Sequence, residues 1–550
     1  MKRSLVSVLS VVVAMAVAAR APAAEQKPLV VVAFPSFDAL MEDVKYVGTL
    51  AERPELADMV KTGLLFAAGG LDGLDKTNPM GLSITTDGED TYFCAFVPVT
   101  SLDKLFKSLQ AVLPEPEDDG DGVKRIDAGL MTIYIKEKGK WAYISNDTAA
   151  LDAAPSDPMK YIGELSKAYD IGARAYVQNL PQKWIDFATN AIEQGLQQGL
   201  VQMEGESDEA FEKRQELAET QLEMITEMVK ELDEFTIGIA LDSKEKKAYL
   251  DFSITAKSGS KTAKEFADSY EDLTTQFGAF KKGAIFASLV SRVPKDDAET
   301  ASAQLEAAKA QVLDQIEENA DFPSDEVRDT VKGIVNGLMD ALVETIKEGQ
   351  FDMGAGLMGE GPFSVALGLR VADGPAIEKQ IKEAIKLGED AGGISDVKYG
   401  AAKHDGVTFH VITPNIPDRA EEGLSAFFGN DPKLVVGVGP KAVYAVFGRD
   451  GIETLKGVID DSKATADEKT VPFELSASLK PLLTFAADQN PDQPQLAAAV
   501  EALGDGGNDH VRIVSKPIPN GAAVRFEAEE GVLKMIGALV SALQREFAPF

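Results

Sequence analysis

The sequence predicts an α+β fold made of two tandem, divergent repeats, each an antiparallel sheet covered by amphipathic helices. Strand-like segments occur as hairpin pairs between helical segments, and five blocks of the first half recur in the same order in the second. A chain of 550 residues is also too long for one core. The predicted parts are a signal peptide over 1–24, a first repeat over 25–282 and a second over 283–550.

The first 24 residues have the pattern of a secretory signal peptide. Lys2 and Arg3 precede a short apolar segment, and Ala21 and Ala23 supply the small residues that signal peptidase accepts. We expect cleavage after Ala23 and a periplasmic or extracellular protein. The apolar segment is shorter than the roughly 20 residues of a spanning helix, which disfavours an N-terminal anchor, and no later segment is apolar enough to span a membrane.

Residues 80–109 contain the clearest repeated unit, in which two strands joined by a glycine turn are followed by a helix. Residues 92–97 form a near-continuous apolar run, which predicts a strand buried on both faces. Ser101 is predicted to be a helix N-cap. At an offset of 272, residues 365–371 and Asp373 repeat this order of features.

Four further blocks recur at changing offsets, which indicates insertions at different places in the two repeats. They pair 123–124 with 397–398, 141–147 with 444–450, 171–177 with 473–479, and 237–252 with 511–526. Apolar stripes predict a long helical excursion in each repeat, over about 182–232 and about 297–349.

The net charge of the chain is −34, and it becomes −37 once Lys2, Arg3 and Arg20 leave with the signal peptide. Such a surface repels nucleic acid and anionic lipid and attracts cations or a basic partner. The charge also has a simpler interpretation as a source of solubility. The one cysteine, Cys94, excludes an internal disulfide and is predicted to be a buried, inert thiol.

Sequence patterns for catalysis and cofactors are weak throughout. The segment 70–77 resembles a phosphate-binding loop but lacks a glycine directly before Lys76. Ser101 and Lys104 fit the S-x-x-K pattern of serine acyl-enzymes, but a helix cap explains Ser101 better. We therefore predict no catalytic residue and no cofactor.

Metal-binding patterns are also incomplete. Glu117, Asp119 and Asp121 imitate the first half of a calcium loop, but Ala128 stands where a bidentate glutamate is expected. They are weak calcium candidates, and a solvated turn is the alternative. His404 and His410 could contribute to a zinc site, although no third ligand is indicated.

The signal peptide, the apolar strand and helix that follow it, the segment GLDKTNPMGLSI over 73–84 and the strand-to-helix unit at Pro98 together carry a family likeness. The chain resembles secreted two-repeat proteins of planctomycete-type bacteria, for which no activity is established. The resemblance covers nearly the whole mature chain and assigns a role to no residue.

These patterns predict an exported, acidic, non-catalytic protein that acts as a binding or structural component of the periplasm or cell exterior. One alternative is a carrier of an apolar ligand or lipid, with helices covering a concave sheet. Another is a hydrolase that uses paired carboxylates, which 89 acidic residues neither exclude nor locate.

Overall fold

The structure is a computed structural model that describes residues 27–111, 113–127, 131–202, 208–318 and 322–546. These residues form two compact units. The first comprises the chain up to Thr189, Val229–Ala256 and the chain from Glu527, and the second comprises Asn190–Met228 and Lys257–Phe526. The predicted signal peptide and its cleavage site at Ala23 lie outside the described residues.

The first unit is built on an antiparallel sheet, which confirms the α+β prediction for this half. Its strands are β1 (Lys27–Ser36), β2 (Pro79–Thr86), β3 (Thr91–Pro98), β4 (Glu117–Gly120), β5 (Val123–Asp127), β6 (Thr132–Lys138), β7 (Trp141–Ser145), β8 (Ile171–Tyr176), β9 (Leu232–Asp242) and β10 (Lys247–Ala256). They are hydrogen-bonded in the order β10-β9-β8-β1-β2-β3-β7-β6-β5-β4.

The second unit is also built on an antiparallel sheet. Its strands are β11 (Ile285–Arg292), β12 (Gln350–Met358), β13 (Ser364–Arg370), β14 (Ile394–His404), β15 (Val407–Pro414), β16 (Lys433–Val438), β17 (Ala442–Gly448), β18 (Phe473–Ser478), β19 (His510–Ile518) and β20 (Gly521–Glu529). They follow the order β20-β19-β18-β11-β12-β13-β17-β16-β15-β14. The two sheets therefore have the same strand order: each strand of the second unit has a number ten higher than its counterpart in the first, so that β11 corresponds to β1.

Four of the five sequence blocks lie on strands that occupy the same place in the two orders. The block that pairs 237–252 with 511–526 is nevertheless displaced by two residues, because Phe235, and not Ile237, stands where Val511 stands. The match of 123–124 with 397–398 is wrong, because Val123 begins β5 whereas Val397 lies on β14, whose counterpart is β4. The short β4 hairpin and the eleven-residue β14 differ in length, so a local Val-Lys similarity aligned strands at different positions.

Helices connect the strands in both units. They are α1 (Phe37–Leu50), α2 (Leu56–Ala68), α3 (Leu102–Leu109), α4 (Thr148–Ala153), α5 (Met159–Ile162), α6 (Leu165–Ala168), α7 (Gln182–Gly199), α8 (Asp208–Glu231), α9 (Lys261–Tyr270), α10 (Lys295–Glu318), α11 (Asp325–Lys347), α12 (Gly374–Asp390), α13 (Asp418–Phe428), α14 (Gly451–Ala464), α15 (Leu479–Gln489), α16 (Pro494–Leu503) and α17 (Glu530–Glu546). Helices α7 and α8 lie in the segment predicted as the first helical excursion, and α10 and α11 lie in the second. Ser101 caps α3 by accepting from the Lys104 N–H, which confirms the predicted cap.

One face of the first unit's sheet is covered by the short helices α4, α5 and α6. Phe96 and Tyr143 are fully buried there with Leu151 and Ile162. Tyr169, which ends α6, lies against Gly238 so closely that a Cβ on this glycine would be 2.4 Å from the tyrosine ring. Glycine is required at this position because the aromatic ring occupies the place of a side chain.

The corresponding face of the second unit is covered by α14 and by the segment from Thr275 to a 3₁₀ turn at Gly278–Lys282. Phe277 is 1% exposed and packs edge-to-face on Tyr444. Asp352 on β12 fixes this segment, because its carboxylate accepts from the Thr275 hydroxyl at 2.7 Å and from the Gln276 N–H at 2.8 Å.

Candidate functional site

The opposite face of the second unit's sheet is apolar and only partly covered. Directly opposed residues of antiparallel strands share one face of a sheet, so the register defines rows of side chains. The rows are Val511, Ala477, Ile285, Leu357, Val365 and Phe447; then Ile513, Leu475, Ala287, Ala355, Leu367 and Ala445; then Phe473, Leu289, Met353, Leu369 and Val443. We call this set the open face of the second unit.

The centre of this open face remains accessible although its margins are packed. Leu367 is 47% exposed, and Leu289, Val365 and Val511 are each 37–38% exposed. At one margin Leu357 packs with Phe363. At the opposite margin, aliphatic side chains of α11 and α12 pack against Leu369 and Val443 of the last row. The result is an apolar strip between two packed margins.

The first unit has an open face with the same layout. Its rows are Ile254, Phe235, Ala175, Val30, Ile84 and Phe93; then Phe252, Ile237, Ala173, Val32, Leu82 and Ala95; then Leu250, Ile239 and Ile171, with the opposed pair Phe34 and Met80. Ile239, Ile171 and Phe235 are the most accessible of these, 50%, 46% and 40% exposed. On the five strands that the two sets share, the first row of one unit corresponds to the first row of the other, and the same holds for the second row.

The predicted burial of residues 92–97 on both faces is wrong. Cys94 and Phe96 point to the covered face and are buried, whereas Phe93, Ala95 and Val97 are half-buried on the open side. An apolar run without alternation indicates that both sides of a strand are apolar, and here only one side is covered. This run was therefore the sequence signal for the open face.

A pair of carboxyl groups lies at the end of the open face of the first unit. Asp170 directly precedes Ile171, and its carboxyl group lies close enough to that of Asp43 on α1 to share a proton with it. Burial, followed by the charge of Asp170, raises the pKa of Asp43 to about 7. Sequence reasoning missed this pair, because nothing local connects two residues so far apart in the chain.

Two pockets in the second unit have a carboxylate in their lining. One, of about 290 Å³, is lined by Gln276, Tyr444 and Ser462 among others, and its carboxylate, Asp405, is paired with Lys463. The other, of about 380 Å³, has Asp488 as its carboxylate. Neither combines two carboxylates, as a glycosidase-type hydrolase would need.

The weak calcium candidates lie on the exposed β4–β5 hairpin. Glu117 on β4 is 2.5 Å from a guanidinium nitrogen of Arg125, and Asp119 and Asp121 are exposed beside it. Ala128, at the last position of the supposed loop, lies outside the described residues. Among the described residues, no group of three or more His, Cys, Asp or Glu side chains is arranged to hold a metal ion.

The two histidines considered for zinc have separate partners. His404 Nε2 is 2.7 Å from an Asp460 carboxylate oxygen, whereas His410 is 1% exposed with Nε2 3.2 Å from Glu378 Oε1. Burial lowers the pKa of His410.

Cys94 is buried as predicted, and this burial raises the pKa of its thiol to about 12.

Comparisons of the chain with protein-family models, curated proteins and solved structures gave no match. Within the described part of the chain, no helix combines the length and apolar composition needed to cross a bilayer. The open faces are therefore the structural feature on which a function can be argued.

Proposed function

We propose that this chain is an exported, non-catalytic binding protein whose ligand carries an apolar chain that lies along the open faces. The observation that carries the proposal is the accessible apolar strip, centred on Leu367 in the second unit and on Ile239 in the first. Contiguous exposed apolar surface on a soluble protein commonly marks a binding site. In this proposal the accessible strip is covered by a bound ligand and not by another part of the protein.

The chemistry of the rows favours a hydrocarbon chain over a polar ligand. Apart from Ser515, which opposes Phe473 at the end of the third row, their side chains are aliphatic, aromatic or the thioethers of Met353 and Met80. Apart from β10, which ends the strand order of the first unit, the strands that carry the rows have their backbone groups bonded to a neighbouring strand on each side. A peptide therefore cannot bind there by adding a strand, and attraction comes from burial of apolar area.

The duplication is part of the same proposal. We infer that the two units are divergent repeats, because the strand order is shared and the first two rows correspond residue by residue across five strands. Phe235, Ala175 and Val30 stand where Val511, Ala477 and Ile285 stand in the second unit. An experimental structure in which these positions do not superpose would contradict a common origin.

Export to the periplasm or cell exterior is proposed from the leader-like segment over 1–24. The resemblance to secreted two-repeat proteins of planctomycete-type bacteria supports the same proposal. An acyl chain released from a lipid would suit this compartment, and the acidic surface, at a net charge of −34, would keep the protein from adsorbing to anionic membranes while it carries the chain.

Native mass spectrometry of the purified mature chain tests the proposal. We expect the protein to carry acyl-chain compounds, up to two per chain, that organic extraction removes. The extracted protein should then bind a fluorescent polyene fatty acid. A protein that purifies without such compounds and binds no fatty acid would contradict it, and turnover of a substrate dependent on one Asp–Glu pair would favour the hydrolase alternative.

A further inference from the structure

The carboxyl groups of Asp43 and Asp170 lie next to each other in the first unit, and their arrangement requires a proton between them. Asp170 is fixed to the end of β9: its N–H donates to Ile239 O at 2.9 Å and its Oδ2 accepts from the Leu241 N–H at 2.6 Å. Asp43 Oδ2 is buried, and no N–H or O–H of the described residues reaches it. Ionised carboxylates only accept hydrogen bonds, so two of them in contact need a shared proton.

The surroundings also favour one proton on this pair. Glu42 lies on the same helix, and Asp242 at the end of β9 and Glu530 on α17 are the charged groups facing the neighbouring Tyr46. Lys246 and Lys534 pair with Glu530 instead of with the two aspartates. Like charges at contact cannot both ionise at neutral pH.

We propose that Asp43 and Asp170 share one proton and thereby form a pH-sensitive anchor that holds α1 to the ends of β8 and β9. Helix α1 also packs on β1, α2 and α17, so its anchoring affects how firmly this corner of the first unit is closed. Ile171 and Ile239, the most accessible residues of the open face, adjoin the anchor. The inference does not depend on what the open face binds.

The direction of the pH dependence follows from the raised pKa of Asp43. When α1 detaches, the Asp43 carboxyl regains its ordinary pKa of 3.8, whereas the anchored group titrates near 7. Anchoring is therefore strongest below pH 3.8 and weakens as pH rises towards 7, where the anchored pair also loses its proton. For one proton the detached population grows by at most about tenfold per pH unit, and less here because the pair is partly hydrated.

Hydrogen exchange of the full mature chain between pH 5 and pH 8, corrected for the intrinsic exchange rate, tests the anchor. We expect protection of α1 amides to fall several-fold as pH approaches 7 and then to level off, while β2 and β3 amides report that the sheet is intact. In Asp43→Asn the amide donates to Asp170 at every pH, so protection of α1 should become independent of pH.

Glu42→Gln is the matched control, because it removes an exposed negative charge from the same helix but leaves the pair. It should keep the pH dependence, with the midpoint displaced slightly to lower pH, because the charge of Glu42 raises the pKa of Asp43. The second readout is the infrared carbonyl band of protonated carboxyls at pH 6, which should be weaker in Asp43→Asn than in the native chain; Asp352, whose pKa is raised to about 6, contributes equally to both. Constant protection of α1 in the native chain, or the same infrared spectrum in both, would overturn the proposal.

Discussion

Replacing one accessible residue in each open face should weaken the binding of an apolar chain by a predictable amount. The double variant Leu367→Ser and Ile239→Ser alters the centre of both strips. Complete burial of an aliphatic side chain contributes about 1.5–3 kcal/mol. In the free protein 47% of Leu367 and 50% of Ile239 remain exposed, and this fraction is what a ligand can still cover.

The expected loss is therefore about 0.7–1.4 kcal/mol at each face, which is about a three- to tenfold increase in Kd. Fluorescence titration with a polyene fatty acid measures it, and urea unfolding of the variant shows that the fold persists. Leu65→Ser on α2 is the matched control, because Leu65 is 61% exposed and is not part of the rows. Native affinity in the double variant, or an equal loss in the control, would refute the open faces as the site.

Three further predictions concern the core that supports these faces. Phe277→Ala should lower the free energy of unfolding by about 3–5 kcal/mol in urea, whereas Phe66→Ala, at 83% exposure, should change it by less than about 0.5 kcal/mol. Burial raises the pKa of Asp352 from 3.8 to about 6, so up to about 3 kcal/mol of stability should be lost as pH rises across that interval, and Asp352→Asn should remove this dependence; an unchanged slope would exclude Asp352. Cys94, with a thiol pKa near 12, should resist alkylation at pH 8 until the protein is unfolded, and rapid labelling of the native chain would contradict its burial.

Local patterns in the sequence predicted the elements well and the packing poorly. The cap at Ser101, the two helical excursions and the pairing of strands in hairpins follow from turn residues and apolar spacing. These signals act within a few residues of one another. Which face of a strand is covered depends on distant segments, such as that of Phe277, and so the open side of Phe93 was not foreseen.

The candidate sites depended on still more distant contacts. The Asp43–Asp170 pair forms because β8 and α1 meet at the end of β1, and only the sheet topology shows this. A solvated turn was the alternative to calcium binding for Glu117, Asp119 and Asp121, and the structure places the short strand β4 over Glu117–Gly120. An acidic turn and an exposed acidic hairpin have the same composition and no apolar periodicity, so the sequence pattern could not distinguish one from the other.

The contact between Phe277 and Gly368 couples two positions that are distant in the chain. A Cβ at residue 368 would lie 2.5 Å from the Phe277 ring, so residue 368 cannot gain a side chain while this ring is in place. Gly368→Ala should be poorly tolerated beside phenylalanine and better tolerated beside a smaller residue at 277. Positions 277 and 368 should therefore co-vary among related chains: a residue larger than glycine at 368 is expected only together with a residue smaller than phenylalanine at 277.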